Sequence, residues 1–201
     1  MKIIIAPDIF GNTPALARLA RKLEKTITGA CVDIIDPYGE NVFFRQEDEA
    51  YAYFTTHLNI PAYSDMISAR LSGEKQPVIL LGFSAGGSAV WHLSGRADSA
   101  AAVRGIVFYG SQIRYHRDIS PGFDMNLIFP AAEPHFDVDD LIEVLSPAPG
   151  VTISRADGLH GFMNEYSKNY SRELYTGFMD THIPEMIGRK PGKYTFPAFH
   201  S

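Results

Sequence analysis

Short apolar runs alternate with helical patterns along the chain, and this alternation restricts the fold more than any other feature. The run "KIIIAPD" (2–8) is β-branched and unbroken, as a strand covered on both faces requires. Next, "TPALARLARKLEKTITG" places Thr13 to cap a helix, Pro14 at its first position and Gly29 at its end. Leu16, Leu19, Ala20, Leu23 and Ile27 share one stripe of that helix. "CVDIIDPY" reads as the next strand, and residues 46–72 as two helical segments broken near Pro61 and ending at Gly73. "PVILLGFS" is a strand and "GGSAVWHLSGR" a helix, followed by two more strands in "VRGIVFYGS" and "MNLIFPAAE". "DVDDLIEVLS" is a short helix with aspartates in its first turn, where the helix dipole favours them. "GVTISRAD" is the last strand, and the tail from about residue 166 reads as a closing helix. This order predicts an α/β fold with a mostly parallel sheet of about six strands and helices on both faces. Ligands bind such sheets in the crevice at the strand C-termini. No repeat or linker divides the chain, so a single domain over residues 1–201 is expected.

Composition narrows the function classes. Apolar residues make up 45% and charged residues 20%, a globular balance. The formal net charge of −5 argues against nucleic acid or an anionic membrane surface as the main partner. One cysteine, Cys31, excludes an internal disulfide framework and a multi-cysteine metal site. "MKIIIAPDIFG" has too short an apolar run for a secretory signal, and no segment approaches the ~18 apolar residues of a membrane span. A cytoplasmic protein is therefore expected.

Gly82-Phe83-Ser84-Ala85-Gly86 fits G-x-S-x-G, with a strand before it and a helix after it. A serine held at so sharp a turn takes a strained backbone, and side chains two positions either way would strike the adjacent elements. The competing readings of a glycine-rich turn are phosphate cradles. A P-loop needs lysine after its last glycine, where Ser88 stands, and the first βα turn, "PDIFGN", carries only one glycine of a dinucleotide fingerprint. Ser84 is thus the candidate nucleophile, with the Ala85 N–H at the helix start facing developing negative charge.

A serine hydroxyl needs a base, and the base a carboxylate. In the hydrolase fold these follow in the order serine, acid, histidine, each on a loop at a strand C-terminus. "RADGLHGF" places His160 after the last strand. The strand "MNLIFPAAE" ends at Glu133, with Pro134 breaking it, so Glu133 is the favoured acid. Asp137 is the competitor, although with Asp139 and Asp140 it more naturally caps the following helix. Asp157, three residues from His160, reads as loop chemistry. The second oxyanion donor is expected in the loop after the first strand, at the backbone N–H of Ile9, with Phe10 next. Asp8 reads as a turn former there.

Together these residues resemble the dienelactone hydrolase family of the α/β-hydrolase superfamily over nearly the whole chain. "DIFG" resembles its acidic-Ile-Phe-Gly loop, "GFSAGG" its nucleophile elbow, "VFYG" a strand ending common there, and "HGF" its histidine loop. "NLIFPAAEPHFDVDDL" resembles the stretch where an acidic residue and proline follow a strand, which gives Glu133 the acid position. The resemblance implies that Asp8 contacts the nucleophile in the resting enzyme. Three features differ from the family pattern. Ser84 stands where the namesakes carry cysteine, Glu133 where aspartate is usual, and Met163 and Asn164 where an arginine holds a substrate carboxylate. The chain also begins at its "IIIAPD" strand, a compact version without opening antiparallel strands or a large cap domain.

The expected function is a serine hydrolase of small ester or lactone substrates, working through a Ser-His-Glu triad and an acyl-enzyme. A thioesterase or other acyl hydrolase of the same fold is the alternative, and a non-catalytic binding protein the alternative from another class. Phe43, Phe44, Tyr51, Tyr53 and Phe54 read first as packing and second as an acyl pocket. Arg114 and Arg117 read first as solvated and second as partners of an anionic substrate. No cofactor is implied, and no metal, because His135 with Asp137 and Asp139 reads as a strand end and helix start. The sequence leaves the oligomeric state open.

Overall fold

The structure, a computed structural model, describes residues 1–39 and 41–188. Its sheet is wholly parallel and is built outward from β1 (Lys2–Ala6). β1 pairs with β2 (Cys31–Ile34) on one side and β3 (Val78–Phe83) on the other. β4 (Ala102–Phe108), β5 (Asp124–Phe129) and β6 (Val151–Arg155) then add in turn, giving the order β2-β1-β3-β4-β5-β6. The direction of strand addition reverses between β1 and β3. Loops leaving those two strands diverge, and the crevice between them is where such a sheet binds ligands.

Both faces of the sheet are covered, which is why its central strands read as continuous apolar runs. Ile3 and Ile5 face α1 (Pro14–Thr26) and the C-terminal helical segment, whereas Ile4 faces α3 (Ile60–Leu71) and α4 (Ser84–Ser94). All three isoleucines are fully buried. α5 (Val138–Leu145) lies on the α3–α4 face, anchored by Val138, Leu141 and Leu145. The C-terminal segment runs from α6 (Arg172–Gly177) through a π-helical turn (Phe178–His182) into α7 (Ile183–Gly188). Caps fix the helix starts. The Thr13 side chain accepts the Leu16 N–H at 3.1 Å, and Asn59 accepts the Ala62 N–H at 2.9 Å. α2 (Glu47–His57) and α3 therefore divide at Leu58–Asn59, with Pro61 inside the first turn of α3 rather than at the break. No helix among the described residues is long and apolar enough to cross a membrane.

Two further element boundaries, both near the crevice, differ from expectation. β5 ends at Phe129, not at Glu133, because Pro130 has no N–H to continue the ladder. Glu133 instead sits in a turn bridged to Phe136. The closing helix begins at Arg172 rather than near 166; what precedes it is a series of turns, each closed by a backbone bond such as Asn164 N to Gly161 O at 2.8 Å. Asn164 and Ser167 favour turns there, since their side chains accept the Tyr166 and Asn169 N–H groups. The part of the expected helix after residue 188 lies outside the described residues.

α4 approaches β1 closely, backbone against backbone. A Cβ on Gly86 would run into the carbonyl oxygens of Ala6 and Pro7, which are backbone and cannot swing aside. Gly86→Ala should therefore destabilise the protein by about 2 kcal/mol or more, read as a shift in the urea midpoint. A change below about 0.5 kcal/mol would mean that α4 and β1 can separate freely.

Candidate active site

Ser84 stands at the junction of β3 and α4 with φ +49°, the left-handed region that costs a non-glycine residue energy. The turn is tight: a Cβ on Gly82 would lie 2.5 Å from Gly87 Cα. Ala85 follows in the first turn of α4, where backbone N–H groups have no partner within the helix. The start of α4 is tied to the loop after β4 through Ser88. Its hydroxyl donates to Ser84 O at 3.0 Å and accepts the Gln112 N–H at 3.1 Å.

Three side chains distant in sequence meet at this rim. Ser84 Oγ lies 2.8 Å from His160 Nε2, and His160 Nδ1 lies 2.6 Å from Glu133 Oε1. A carboxylate only accepts, so this line assigns the Nδ1 proton to the Glu133 side and leaves Nε2 to accept from the serine. The Glu133 side chain is only 4% exposed. The acid turn and the histidine loop are joined by the Ala131 N–H, which donates to Gly158 O at 2.7 Å. Asn169 Nδ2 donates to His160 O at 2.8 Å, and the imidazole lies against the Tyr109 ring with centroids 5.0 Å apart. The alternative acids are placed elsewhere. Asp137 accepts the Asp139 N–H at 2.8 Å and the Asp140 N–H at 3.4 Å, so it caps α5 instead of orienting the histidine. Asp157 is exposed.

The loop after β1 is pinned residue by residue. Tyr63 Oη donates to Pro7 O at 3.0 Å, Tyr38 Oη to Ile9 O at 2.6 Å, and the Phe44 N–H to Phe10 O at 2.9 Å. Asp8 accepts the Phe10 N–H at 3.1 Å through Oδ1 and Asn164 Nδ2 at 2.7 Å through Oδ2. The Phe10 N–H is thus engaged. That leaves the Ile9 N–H, which meets no acceptor among the described residues. Asp8 makes no hydrogen bond to Ser84 of the kind the resemblance implied; both its oxygens are held by neutral donors, and the Ser84 hydroxyl is on His160. Burial pushes the Asp8 carboxyl up from 3.8 to about 6, with the Asn164 and Phe10 donors and nearby His160 offsetting part of the rise. Burial likewise raises the hydroxyls of Tyr63 and Tyr109 well above the ordinary tyrosine value.

Ser84, Ala85, Ile9 and His160 line a cavity of about 590 Å³. α2 contributes Glu47, Tyr51 and Phe54 to its lining, and the loop after β4 contributes Ser111, Gln112 and Arg114. The other aromatic candidates pack elsewhere: Phe44 and Tyr53 meet the Tyr38 ring edge to face, with centroids 5.7 and 5.0 Å away, and Phe43 bridges to Gly11. The Arg114 guanidinium lies 4.3 Å over the Tyr115 ring and 5.1 Å from that of Phe136, and donates to Ser111 O at 2.6 Å. Arg117 does not line the cavity; its Nε donates to Arg114 O at 2.8 Å. Among the described residues no group of three or more His, Cys, Asp or Glu could hold a metal ion. Four contributors escape a reading of the sequence: Asn164, Asn169, Tyr38, and Tyr109 with its strained φ of +42°. Two asparagines within nine residues of His160 are the available signal, but spacing does not say where an amide points.

No protein-family model matches the chain. The uncharacterized protein YczH of Bacillus subtilis (strain 168) is 28% identical over 180 residues, covering 86% of each chain. Solved structures are similar at lower identity. A dienelactone hydrolase-like promiscuous phosphotriesterase from metagenomic libraries superposes with a TM-score of 0.64 at 13% identity, over 92% of this chain and 84% of that one. Dienelactone hydrolase from Anabaena variabilis superposes with a TM-score of 0.61 at 14% identity, over 92% and 82%. The chain has the α/β-hydrolase fold.

The Asp8 environment has a thermodynamic consequence. Its folded-state value of about 6 lies above the ordinary 3.8, so the stability that its proton contributes is fully present below about pH 4 and lost as pH rises through about 6. Between about pH 4 and pH 8, wild type should lose about 3 kcal/mol of unfolding free energy relative to Asp8→Asn. Urea titrations of both proteins across that range check it; parallel curves would show an Asp8 that ionises as freely as a surface aspartate.

Proposed function

We propose that this protein is a serine hydrolase of small carboxylic esters or lactones, acting through Ser84, His160 and Glu133 by way of an acyl-enzyme. The observation that carries the reading is the unbroken hydrogen-bonded line from Ser84 Oγ to the buried Glu133 carboxylate, at 2.8 and 2.6 Å, on the wall of a substrate-sized cavity. Ser84 Oγ attacks the ester carbonyl carbon while its proton passes to His160 Nε2. The imidazolium so formed is stabilised by Glu133, whose carboxylate already accepts from Nδ1. The Ala85 and Ile9 N–H groups take the oxyanion, a role worth several kcal/mol in acyl transfer. His160 then gives its proton to the leaving alkoxide, and the carbonyl re-forms on Ser84. Water attacks the acyl-enzyme with His160 as base; the acid leaves and Ser84 regains its proton.

A hydroxyl, unlike a thiol, is scarcely ionised alone, so a serine at this position depends on the base touching it in the resting state. The lining suits a small substrate, since Tyr51 and Phe54 are available to an apolar group and Gln112 and Arg114 to a polar one. Asn164 stands where the dienelactone hydrolase resemblance would have an arginine, and it is turned onto Asp8, so the namesake substrate is not the one proposed.

A labelled fluorophosphonate should modify the wild type, and Ser84→Ala should abolish labelling and lower 4-nitrophenyl acetate turnover by about a thousandfold or more. Glu133→Gln, which keeps the shape but not the charge, should lower kcat by about 10²–10⁴. A wild type that resists the probe, or turnover that survives Ser84→Ala, removes the reading. A panel of esters, thioesters and a phosphotriester ranks the substrate classes.

A further inference from the structure

We infer that Asp8 and Asn164 form a latch that joins the loop bearing the Ile9 N–H to the loop bearing His160, so that both halves of the proposed site keep one geometry. Its catalytic consequence rests on the serine-hydrolase reading; its structural content does not. Among the described residues the Asn164 Nδ2 to Asp8 Oδ2 bond, 2.7 Å long, is the one hydrogen bond between residues 7–11 and residues 158–171.

On its own side Asp8 orients the donor. Asp8 O accepts the Gly11 N–H at 3.1 Å, and Oδ1 accepts the Phe10 N–H at 3.1 Å. The Asp8–Ile9 peptide is trans and planar, so its N–H points opposite to that carbonyl. Holding Asp8 O against Gly11 therefore aims the Ile9 N–H away from the turn. Ile9 lines the same cavity as Ser84 and Ala85.

On the other side Asn164 belongs to the turn that starts one residue after His160. Its N–H donates to Gly161 O at 2.8 Å and its Oδ1 accepts the Tyr166 N–H at 2.8 Å. Both polar atoms of the Asn164 side chain are thereby assigned: oxygen to its own turn, nitrogen to Asp8. Asp8 is 8% exposed, and its carboxylate is matched by neutral donors alone, with no cation bonded to it among the described residues. Its partners are thus directional hydrogen bonds rather than a charge that tolerates misalignment. Asp8 and Asn164 are positioning residues. Neither touches the reacting atoms.

The exchanged pair Asp8→Asn/Asn164→Asp preserves the whole pattern. An asparagine at position 8 accepts from Phe10 and donates across to position 164. An aspartate at position 164 accepts both that donated amide and the Tyr166 N–H. Each single change instead sets donor against donor or carboxylate against carboxylate. Because the Ile9 N–H and the aligned imidazole act on the transition state, each single variant should lower kcat at least about tenfold with KM within about threefold. The exchanged pair should recover kcat to within about threefold of wild type. Hydrogen–deuterium exchange read by mass spectrometry supplies an arm that needs no turnover. Asn164→Ala should speed exchange in residues 7–11, and Asp8→Asn in residues 158–167, with the central strands unchanged. Single variants with wild-type kcat, an exchanged pair no better than the product of the singles, or Asn164→Ala that leaves residues 7–11 protected would each overturn the latch. A wild type without esterase activity would instead remove the hydrolase reading, and the exchange arm would still decide the latch.

Discussion

Backbone touches backbone where α4 crosses β1, and the site is organised around that contact. Gly86 lets the helix settle onto the Ala6 and Pro7 carbonyls, and Gly82 lets the preceding strand turn sharply against Gly87. Only with both spaces empty can Ser84 occupy its left-handed conformation between β3 and α4. The strands that flank the reversal of strand order, β1 and β3, are held together by their ladder, and this contact seats α4 against their ends. It therefore fixes how far the Ala85 N–H stands from the loop after β1. Sheet order, the turn at Ser84 and the loop after β1 are one geometric problem with one solution.

Hydrogen bonds from distant elements then hold what packing alone would leave loose. A loop after a parallel strand has no ladder partner beyond the strand's end, so its carbonyls must be satisfied from elsewhere. Tyr63 of α3 and Tyr38 of the segment after β2 reach over to Pro7 O and Ile9 O, and Asn164 reaches Asp8 from the far end of the chain. These anchors come from three separate parts of the sequence and converge on three consecutive residues. The cost is a carboxyl group held out of water, visible as its tendency to keep its proton.

What the sequence discloses and what it hides divide along physical lines. Periodicity is local, so the strands, α1 and the strand-turn-helix around Ser84 can be read from residue spacing. His160 and Glu133 can be found because the fold type fixes which loops face the crevice, and the structure does bring both to Ser84. The end of β5 misleads because "FPAAE" continues the apolar run, while the missing N–H of Pro130 stops the ladder at Phe129. The start of the closing helix misleads because Asn164 and Ser167 bond their own backbone, a competition that helical periodicity does not register. Asp8 is the deeper failure. Its partner is a residue more than 150 positions away, and nothing in the local pattern says that the carboxylate bonds a neutral asparagine there rather than Ser84.

The displacement of Glu133 past the end of its strand also explains why it is a glutamate. Because Pro130 ends the ladder early, the carboxylate is carried by a turn that closes on itself through the Glu133–Phe136 bridge. That turn is fastened to the histidine loop by the Ala131 N–H on Gly158 O and to the end of β6 by Arg155 on Ala131 O. The backbone is thus placed by bonds that have nothing to do with the imidazole, and the side chain must span whatever distance remains. Glutamate spans it, arriving 2.6 Å from Nδ1 while staying almost fully shielded from water. Aspartate on the same turn would be one methylene short. Closing that gap would require the turn to move and so to loosen one of its fastenings, which makes the longer acid part of the same construction as the early end of the strand.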